Sequence, residues 1–112
     1  MVGGSWEGWV IENLLATAPE GTQAFFYRSS AGAELDLVLE LPTQQRWAIE
    51  IKRSTAPAVS RGFHQAADDV EASARFVVHA GQESFPLSSR IEALPLSLLQ
   101  QRLIAWPGEA SA

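Results

Sequence analysis

Leucine recurs at every second position in one stretch of this chain. Leucine occupies positions 35, 37, 39 and 41, the three positions between them hold Asp36, Val38 and Glu40, and Glu34 precedes the run. Because successive side chains of a strand point to opposite faces, this two-residue period predicts a β-strand over 34–41 with one apolar side. A second strand is predicted over 46–53, and its polar side carries Ala48, Glu50 and Lys52.

Capping signals and apolar periodicity locate the other elements. Ser5 is a candidate N-cap for a first helix, which Pro19 and Gly21 would end. Helices are predicted over about 6–18, 60–73 and 96–105, and further strands over 24–29, 74–81 and from 91. A strand, a helix and a strand in succession predict a parallel strand pair. The predicted order is α-β-β-β-α-β-β-α, an α/β fold on a mixed sheet flanked by helices.

The totals fit one compact domain. The chain has 112 residues, 46% of them hydrophobic, which predicts a single domain over 1–106 with a frayed tail at 107–112. Cysteine is absent, so disulfides and thiolate metal sites are excluded. No apolar run approaches the length of a membrane span, and the N-terminus lacks secretory features, so we expect no membrane association and a cytoplasmic location. The net charge of −5 argues against non-specific nucleic-acid binding.

The polar side of the predicted hairpin is a candidate catalytic site. Glu50 and Lys52 share one side of their strand, and Asp36 joins them if the register allows it. Two neighbouring carboxylates repel each other unless a cation intervenes, and Mg²⁺ binds through one or two carboxylates. Lys52 would offset charge on a phosphate, and Glu12 from the first helix would complete the site. The alternative is a solvated strand face with cross-strand ion pairs.

The order of these residues resembles the PD-(D/E)XK nuclease superfamily, whose fold is restriction-endonuclease-like. A helix carries Glu12, a hairpin carries Asp36, and Glu50-Ile51-Lys52 is followed directly by a helix. The phrases WEGWVIENLL, FFYRSSAGAELDLVLE and AIEIKRS look like an uncharacterised domain that accompanies AAA-type ATPases in bacteria and archaea. The resemblance runs from about Gly4 to Leu103.

The resemblance implies a metal-dependent nuclease that cuts DNA and works with an AAA-type ATPase domain, in cis or in trans. It implies that Asp36 and Glu50 bind Mg²⁺ or Mn²⁺, that Lys52 is the catalytic lysine, that Glu12 is a supporting acid and that Gln65 is a helper. Leu35 replaces the proline of the superfamily's name. Lys52 is the only lysine, so the chain has no Gly-x-x-x-x-Gly-Lys phosphate loop of its own.

Two arginines flank the predicted site, and other functions stay open. Arg28 and Arg53 are candidate contacts for DNA phosphates, although we expect at least one of them to pair with Glu34 or Glu40. The alternative function is a non-catalytic module that keeps the nuclease fold and docks DNA or an ATPase. A homodimerisation domain is a third alternative.

Overall fold

A computed structural model describes residues 5–55, 57–88 and 90–106. The predicted mixed α/β class is confirmed, with six strands and three helices in these ranges. The elements are α1 (Trp6–Thr17), β1 (Gln23–Arg28), β2 (Glu34–Glu40), β3 (Arg46–Ile51), α2 (Phe63–Asp69), β4 (Ala74–His79), β5 (Phe85–Ser88), β6 (Ile91–Pro95) and α3 (Leu96–Ala105). The predicted tail at 107–112 lies outside the described residues. Within the described ranges, no helix is long and apolar enough to cross a bilayer.

The strands form one sheet in the order β1-β2-β3-β4-β6-β5. β1, β2 and β3 pair antiparallel, β3, β4 and β6 pair parallel, and β5 lies antiparallel on the far edge. The β3–β4 pair confirms the parallel pair that the sequence predicts across α2. Three neighbouring parallel strands therefore end at the same edge of the sheet, where the last residues of β3 lie.

Apolar side chains cover both faces of the sheet. Val10 of α1 and Leu99 of α3 pack on one face against a cluster that includes Leu37, Leu39, Leu41, Trp47, Ile49 and Ile51. Phe63, Ala66 and Ala67 of α2 pack on the other face with Val38, Ala48 and Val77. The alternation in β3 is therefore as predicted, with Trp47, Ile49 and Ile51 opposite Ala48.

The leucine alternation in β2 is interrupted at Asp36. Leu37, Leu39 and Leu41 pack towards α1 and α3, but Leu35 packs in the cluster on the α2 side. The pairing of β1 with β2 accounts for this, because Phe25 pairs with Val38 while Tyr27 pairs with Leu35. One residue of β1, Phe26, thus lies opposite two residues of β2, Asp36 and Leu37. A bulge at residues 36 and 37 absorbs the extra residue and turns Leu35 to the opposite face, contrary to the prediction of four leucines on one side.

Two predicted elements need correction. The observed order is α-β-β-β-α-β-β-β-α, because β5 (Phe85–Ser88) is a strand that the sequence pattern does not predict. It is four residues long and contains Pro86, which an edge strand tolerates because a proline there leaves no ladder hydrogen bond unmade. The second helix is shorter than the predicted 60–73, since Gly62 is left-handed and α2 ends at Asp69. The restriction-endonuclease-like class remains a prediction.

Candidate functional site

The structure brings Asp36, Glu50 and Lys52 together at the end of β3. Leu37 of β2 pairs with Ile49 of β3, so Asp36 and Glu50 are the next residues along the two strands. The Asp36 Oδ2 atom accepts a hydrogen bond of 2.8 Å from the Ile51 backbone N–H. The Lys52 Nζ atom lies 3.3 Å from Glu50 Oε2. The register on which the predicted site depends is therefore the one that the sheet adopts.

Ser60 connects Glu50, which lies in β3, with Lys52, which follows β3. Its backbone N–H donates to Glu50 Oε1 at 3.1 Å, and its hydroxyl donates to Glu50 Oε2. The same hydroxyl oxygen accepts from Lys52 Nζ at 3.0 Å. The loop before α2 thus fixes a buried carboxylate and an ammonium group, and we call Glu50, Lys52 and Ser60 the charged triangle.

The Asp36 carboxyl group resists ionisation. Burial is the main cause that raises its pKa above the usual aspartate value, and the charges of Glu50 and Glu34 add to this. The hydrogen bond from Ile51 and the charge of Lys52 act in the opposite direction and lower the pKa. Lys52 therefore compensates the repulsion between the two carboxylates only in part.

Glu7, and not Glu12, is the acidic residue of α1 that lines a cleft with Asp36. The sequence pattern does not single it out. Glu7 and Asp36 line one cleft of about 470 Å³, together with Arg28, Glu34 and Tyr27. Burial raises the pKa of Glu7, and the Asp36 charge raises it further. Glu12 lies about 140° further round the helix. Its side chain is exposed, and no hydrogen bond or ion pair between described residues joins it to the charged triangle or to Asp36.

The remaining candidates lie around the cleft or away from it. Arg28 lines the cleft, and its Nη2 atom is 3.5 Å from Glu34 Oε1, which confirms the expected pairing with Glu34 or Glu40. Arg53 is exposed directly after Lys52, and the described part of the chain gives it no ion pair. Gln65 is exposed on α2 and donates to Asp69 Oδ1 at 2.8 Å, so its amide is engaged away from Glu50.

The oxygen donors present fit a hard divalent cation that keeps much of its water. Asp36 Oδ1 has no hydrogen bond to a described residue. Burial raises the pKa of Asp36 because it disfavours the charged form, and a bound cation would stabilise that form. The residues that the structure describes contain no group of three or more acidic or histidine side chains arranged for a metal. A cation held by Asp36 and Glu50 would therefore take its other ligands from water or substrate oxygens.

Comparison with known proteins matches the chain to one family and to two mycobacterial proteins. The pattern of a family described as a domain of unknown function, DUF4143, matches residues 2–99. The "Uncharacterized protein Mb2031c" of Mycobacterium bovis and the "Uncharacterized protein Rv2008c" of Mycobacterium tuberculosis are each 38% identical over 95 residues. That match covers 84% of this chain but 21% of each relative's length. No solved structure matches the chain significantly.

Proposed function

The chain belongs to the DUF4143 family, and we propose that it is a metal-dependent nuclease domain that hydrolyses DNA phosphodiester bonds. The observation that carries this proposal is the meeting of Asp36, Glu50 and Lys52 at one edge of the sheet. Two carboxylates beside a single ammonium group supply the two charge types that phosphoryl chemistry uses. The resemblance to the PD-(D/E)XK superfamily supports the same assignment.

Asp36 and Glu50 are the residues that would hold Mg²⁺ or Mn²⁺. When bound, the cation would polarise a phosphate oxygen and lower the pKa of a bound water. Lys52 contributes a charge whose position is fixed, because Glu50 lies 3.3 Å from its Nζ atom and Ser60 Oγ lies 3.0 Å away. An ammonium group held in this way stabilises negative charge that develops on phosphorus without having to reorient.

Residues along the cleft would position the DNA. We assign the supporting acid to Glu7, which shares the cleft with Asp36, in place of Glu12. Arg28 and Arg53 are exposed and would contact phosphates on either side of the cut bond through charge-assisted hydrogen bonds. The Arg28 pairing with Glu34 at 3.5 Å is long and exposed, so exchanging it for a phosphate costs little.

The domain would act as part of a larger assembly. It spans about a fifth of the length of the curated relatives it matches. With a net charge of −5, the domain has little electrostatic attraction for DNA. An AAA-type ATPase domain, attached or bound, would supply further DNA contacts and raise the local concentration of substrate.

A non-catalytic docking module is the second candidate, and one observation favours it. Both oxygens of Glu50 already accept hydrogen bonds from Ser60, and Oε2 also faces Lys52. A carboxylate satisfied in this way is stable without a cation, as in a structural ion pair. The same fold would then dock DNA or an ATPase without cutting.

Cleavage assays separate the two candidates. Supercoiled plasmid, single-stranded DNA and branched DNA are incubated with the full chain in Mg²⁺, in Mn²⁺ or with chelator. We expect metal-dependent cutting that Lys52→Ala and Asp36→Asn each abolish. The matched pair Glu7→Gln and Glu12→Gln tests the first-helix assignment, and only Glu7→Gln should reduce the rate.

The controls decide what a negative result means. Circular dichroism shows whether each variant is folded, and Mn²⁺ titration by calorimetry measures metal binding apart from cutting. Folded wild-type protein that cuts none of the three DNAs and binds no Mn²⁺ would overturn the nuclease proposal in favour of the docking module. A rate lowered by Glu12→Gln and unchanged by Glu7→Gln would return the supporting role to Glu12.

A further inference from the structure

The cleft at Asp36 has an exposed aromatic side chain in its wall. Phe26 of β1 lines the cleft together with Asp36 and Glu7, and it is 72% exposed. Its neighbours along the strand, Phe25 and Tyr27, are partly buried in the cluster on the α2 side of the sheet. Because successive side chains of a strand point to opposite faces, the Phe26 ring stands on the other side, where α1 packs.

Phe26 is also the neighbour of Asp36 across the pair of strands. The bulge in β2 places Asp36 and Leu37 opposite Phe26. Neighbouring strands lie about 4.8 Å apart, so the two backbones are close at this point. Single exposed apolar residues are common on protein surfaces, and what sets Phe26 apart is its place beside a candidate metal ligand. A base lying on the Phe26 ring would therefore belong to a nucleotide at or next to the bond that is cut.

Arg28 adds a cation on the same side of β1. It lies two residues after Phe26, so the two side chains share one face of the strand, and both line the cleft. An aromatic ring that stacks on a base and a cation that meets a nearby phosphate are the two contacts that proteins combine to bind single strands. β1 is an outer strand of the sheet, with no described strand beyond it, so a DNA strand can approach along it.

A phenyl ring distinguishes unpaired bases from paired ones. It has no hydrogen-bond donor or acceptor, so it binds a base by stacking alone. Inside a duplex the neighbouring base pairs cover both faces of each base, and exposing a face costs unstacking and unpairing energy that a single strand largely avoids. Charge acts in the same direction. A single strand carries about half the charge per length of a duplex, so a chain of net charge −5 repels it less.

We propose that the cleft takes single-stranded DNA and that Phe26 stacks on a base beside the bond that is cut. This rests on the nuclease function proposed above and names the substrate class of the same site. Phe26 is a specificity-determining residue in this arrangement, because it selects unpaired DNA and takes no part in the hydrolysis itself. Arg28 contacts a phosphate of the same strand.

Binding is measured apart from cutting, by fluorescence anisotropy in Mg²⁺ at low salt. Lys52→Ala keeps both proposed metal ligands and should not cut, so the full chain with this substitution is the background. The probes are an oligothymidylate, a duplex and an abasic single strand, all of one length. Adding Phe26→Ala should weaken binding of the oligothymidylate by about tenfold and leave the affinities for the duplex and the abasic strand unchanged, since only the first loses a stacked base.

Two further variants make the comparison specific. Phe26→Trp keeps an aromatic face and should bind the oligothymidylate at least as tightly as the background does. Ile104→Ala removes a side chain that is 68% exposed on α3, outside the cleft, and should leave every affinity unchanged. Circular dichroism confirms that each variant is folded.

Cutting rates test the same contact without the Lys52→Ala background. Below saturation, Phe26→Ala should lower the rate on single strands by about tenfold, and Phe26→Trp should restore it. Equal weakening of oligothymidylate and abasic binding by Phe26→Ala, or no effect of Phe26→Ala on single strands that the wild type cuts, would overturn the role of Phe26 and leave the nuclease proposal intact. Base-dependent binding through Phe26 with no cutting of any DNA would instead overturn the nuclease proposal and leave the Phe26 contact standing.

Discussion

The ionised form of Asp36 is unfavourable for folding, but the metal binding proposed for the site requires it. Burial and the Glu50 charge raise the pKa of Asp36 in the folded chain. An acid with a higher pKa in the folded state binds its proton more tightly there than in the unfolded state. Its contribution to stability is fully present below the unfolded pKa and is lost as the pH rises through the folded pKa. At neutral pH the ionised carboxylate therefore destabilises the fold, and a cation would offset this cost.

Asp36→Asn should raise the free energy of unfolding at pH 7. The amide carries no charge to desolvate, and its oxygen can still accept from the Ile51 N–H. The advantage over wild type should shrink as the pH falls through the pKa of Asp36, as measured by urea unfolding at a series of pH values. Glu20→Gln changes an exposed acid and serves as the control. A variant less stable than wild type at pH 7 would mean that the folded state favours the carboxylate.

Ser60→Ala should destabilise the fold even though the residue is exposed. The hydroxyl bonds both to Glu50, whose side chain is 8% exposed, and to Lys52. Hydrogen bonds to charged groups contribute more than neutral ones, so we expect a loss of about 1–2 kcal/mol in urea unfolding. Ser30→Ala removes an exposed turn hydroxyl and should change stability by less than about 0.5 kcal/mol. Equal effects of the two variants would show that the charged triangle contributes little to stability.

Period-2 spacing located three residues of the site but not Ser60 or Glu7. Asp36, Glu50 and Lys52 follow from strand alternation, which depends only on local geometry. Ser60 acts through a loop whose path depends on tertiary packing. On α1 the apolar residues extend nearly all round, so their pattern does not show which acid of the helix lies beside Asp36. Packing of α1 against α3 and the sheet brings Glu7 into the cleft with Asp36 and leaves Trp9 51% exposed.

Among the elements, those with strong periodicity were predicted to within a few residues and the weakly patterned ones were not. The strands of the hairpin and α3 have clear apolar sides, and α1 has clear start and stop signals at Ser5 and Pro19, so their predicted positions are confirmed. β5 alternates over only four residues, with Phe85 and Leu87 on one side, and this pattern is too short and too close to Pro86 to predict a strand. The bulge in β2 also leaves no local signal, although it lies at Asp36 and so shapes the site.

Gly62 at the start of α2 should be far less tolerant of alanine than Gly32. Both have positive φ, 87° and 96°, so a Cβ atom strains either backbone. A Cβ on Gly62 would lie 3.3 Å from Ala33 Cα, whereas one on Gly32 would have nothing within 4 Å. We expect Gly32→Ala to cost about 1 kcal/mol and Gly62→Ala about 2 kcal/mol or more in urea unfolding. Equal costs would mean that the loop before α2 shifts freely away from the β1–β2 turn.

For the molecule as a whole, the charge of the cleft at Asp36 opposes DNA binding. The cleft is lined by three acids, Glu7, Glu34 and Asp36, and by Arg28. An acidic cleft in a chain of net charge −5 repels DNA until cations or a partner compensate. The proposed nuclease should therefore be limited by DNA binding rather than by the arrangement of its catalytic groups.

Tethering the chain to DNA should therefore raise cutting strongly. Fusion through a flexible linker to a sequence-neutral DNA-binding domain makes the second contact intramolecular, and such linkage raises avidity by about 10² or more. We expect a comparable rise in plasmid nicking at physiological salt, with a smaller gain at low salt, where the isolated chain already binds better. The same fusion carrying Lys52→Ala controls for nicking by the added domain. A fusion that binds plasmid but nicks it no faster than the isolated chain would mean that the limitation lies in the Asp36, Glu50 and Lys52 group itself.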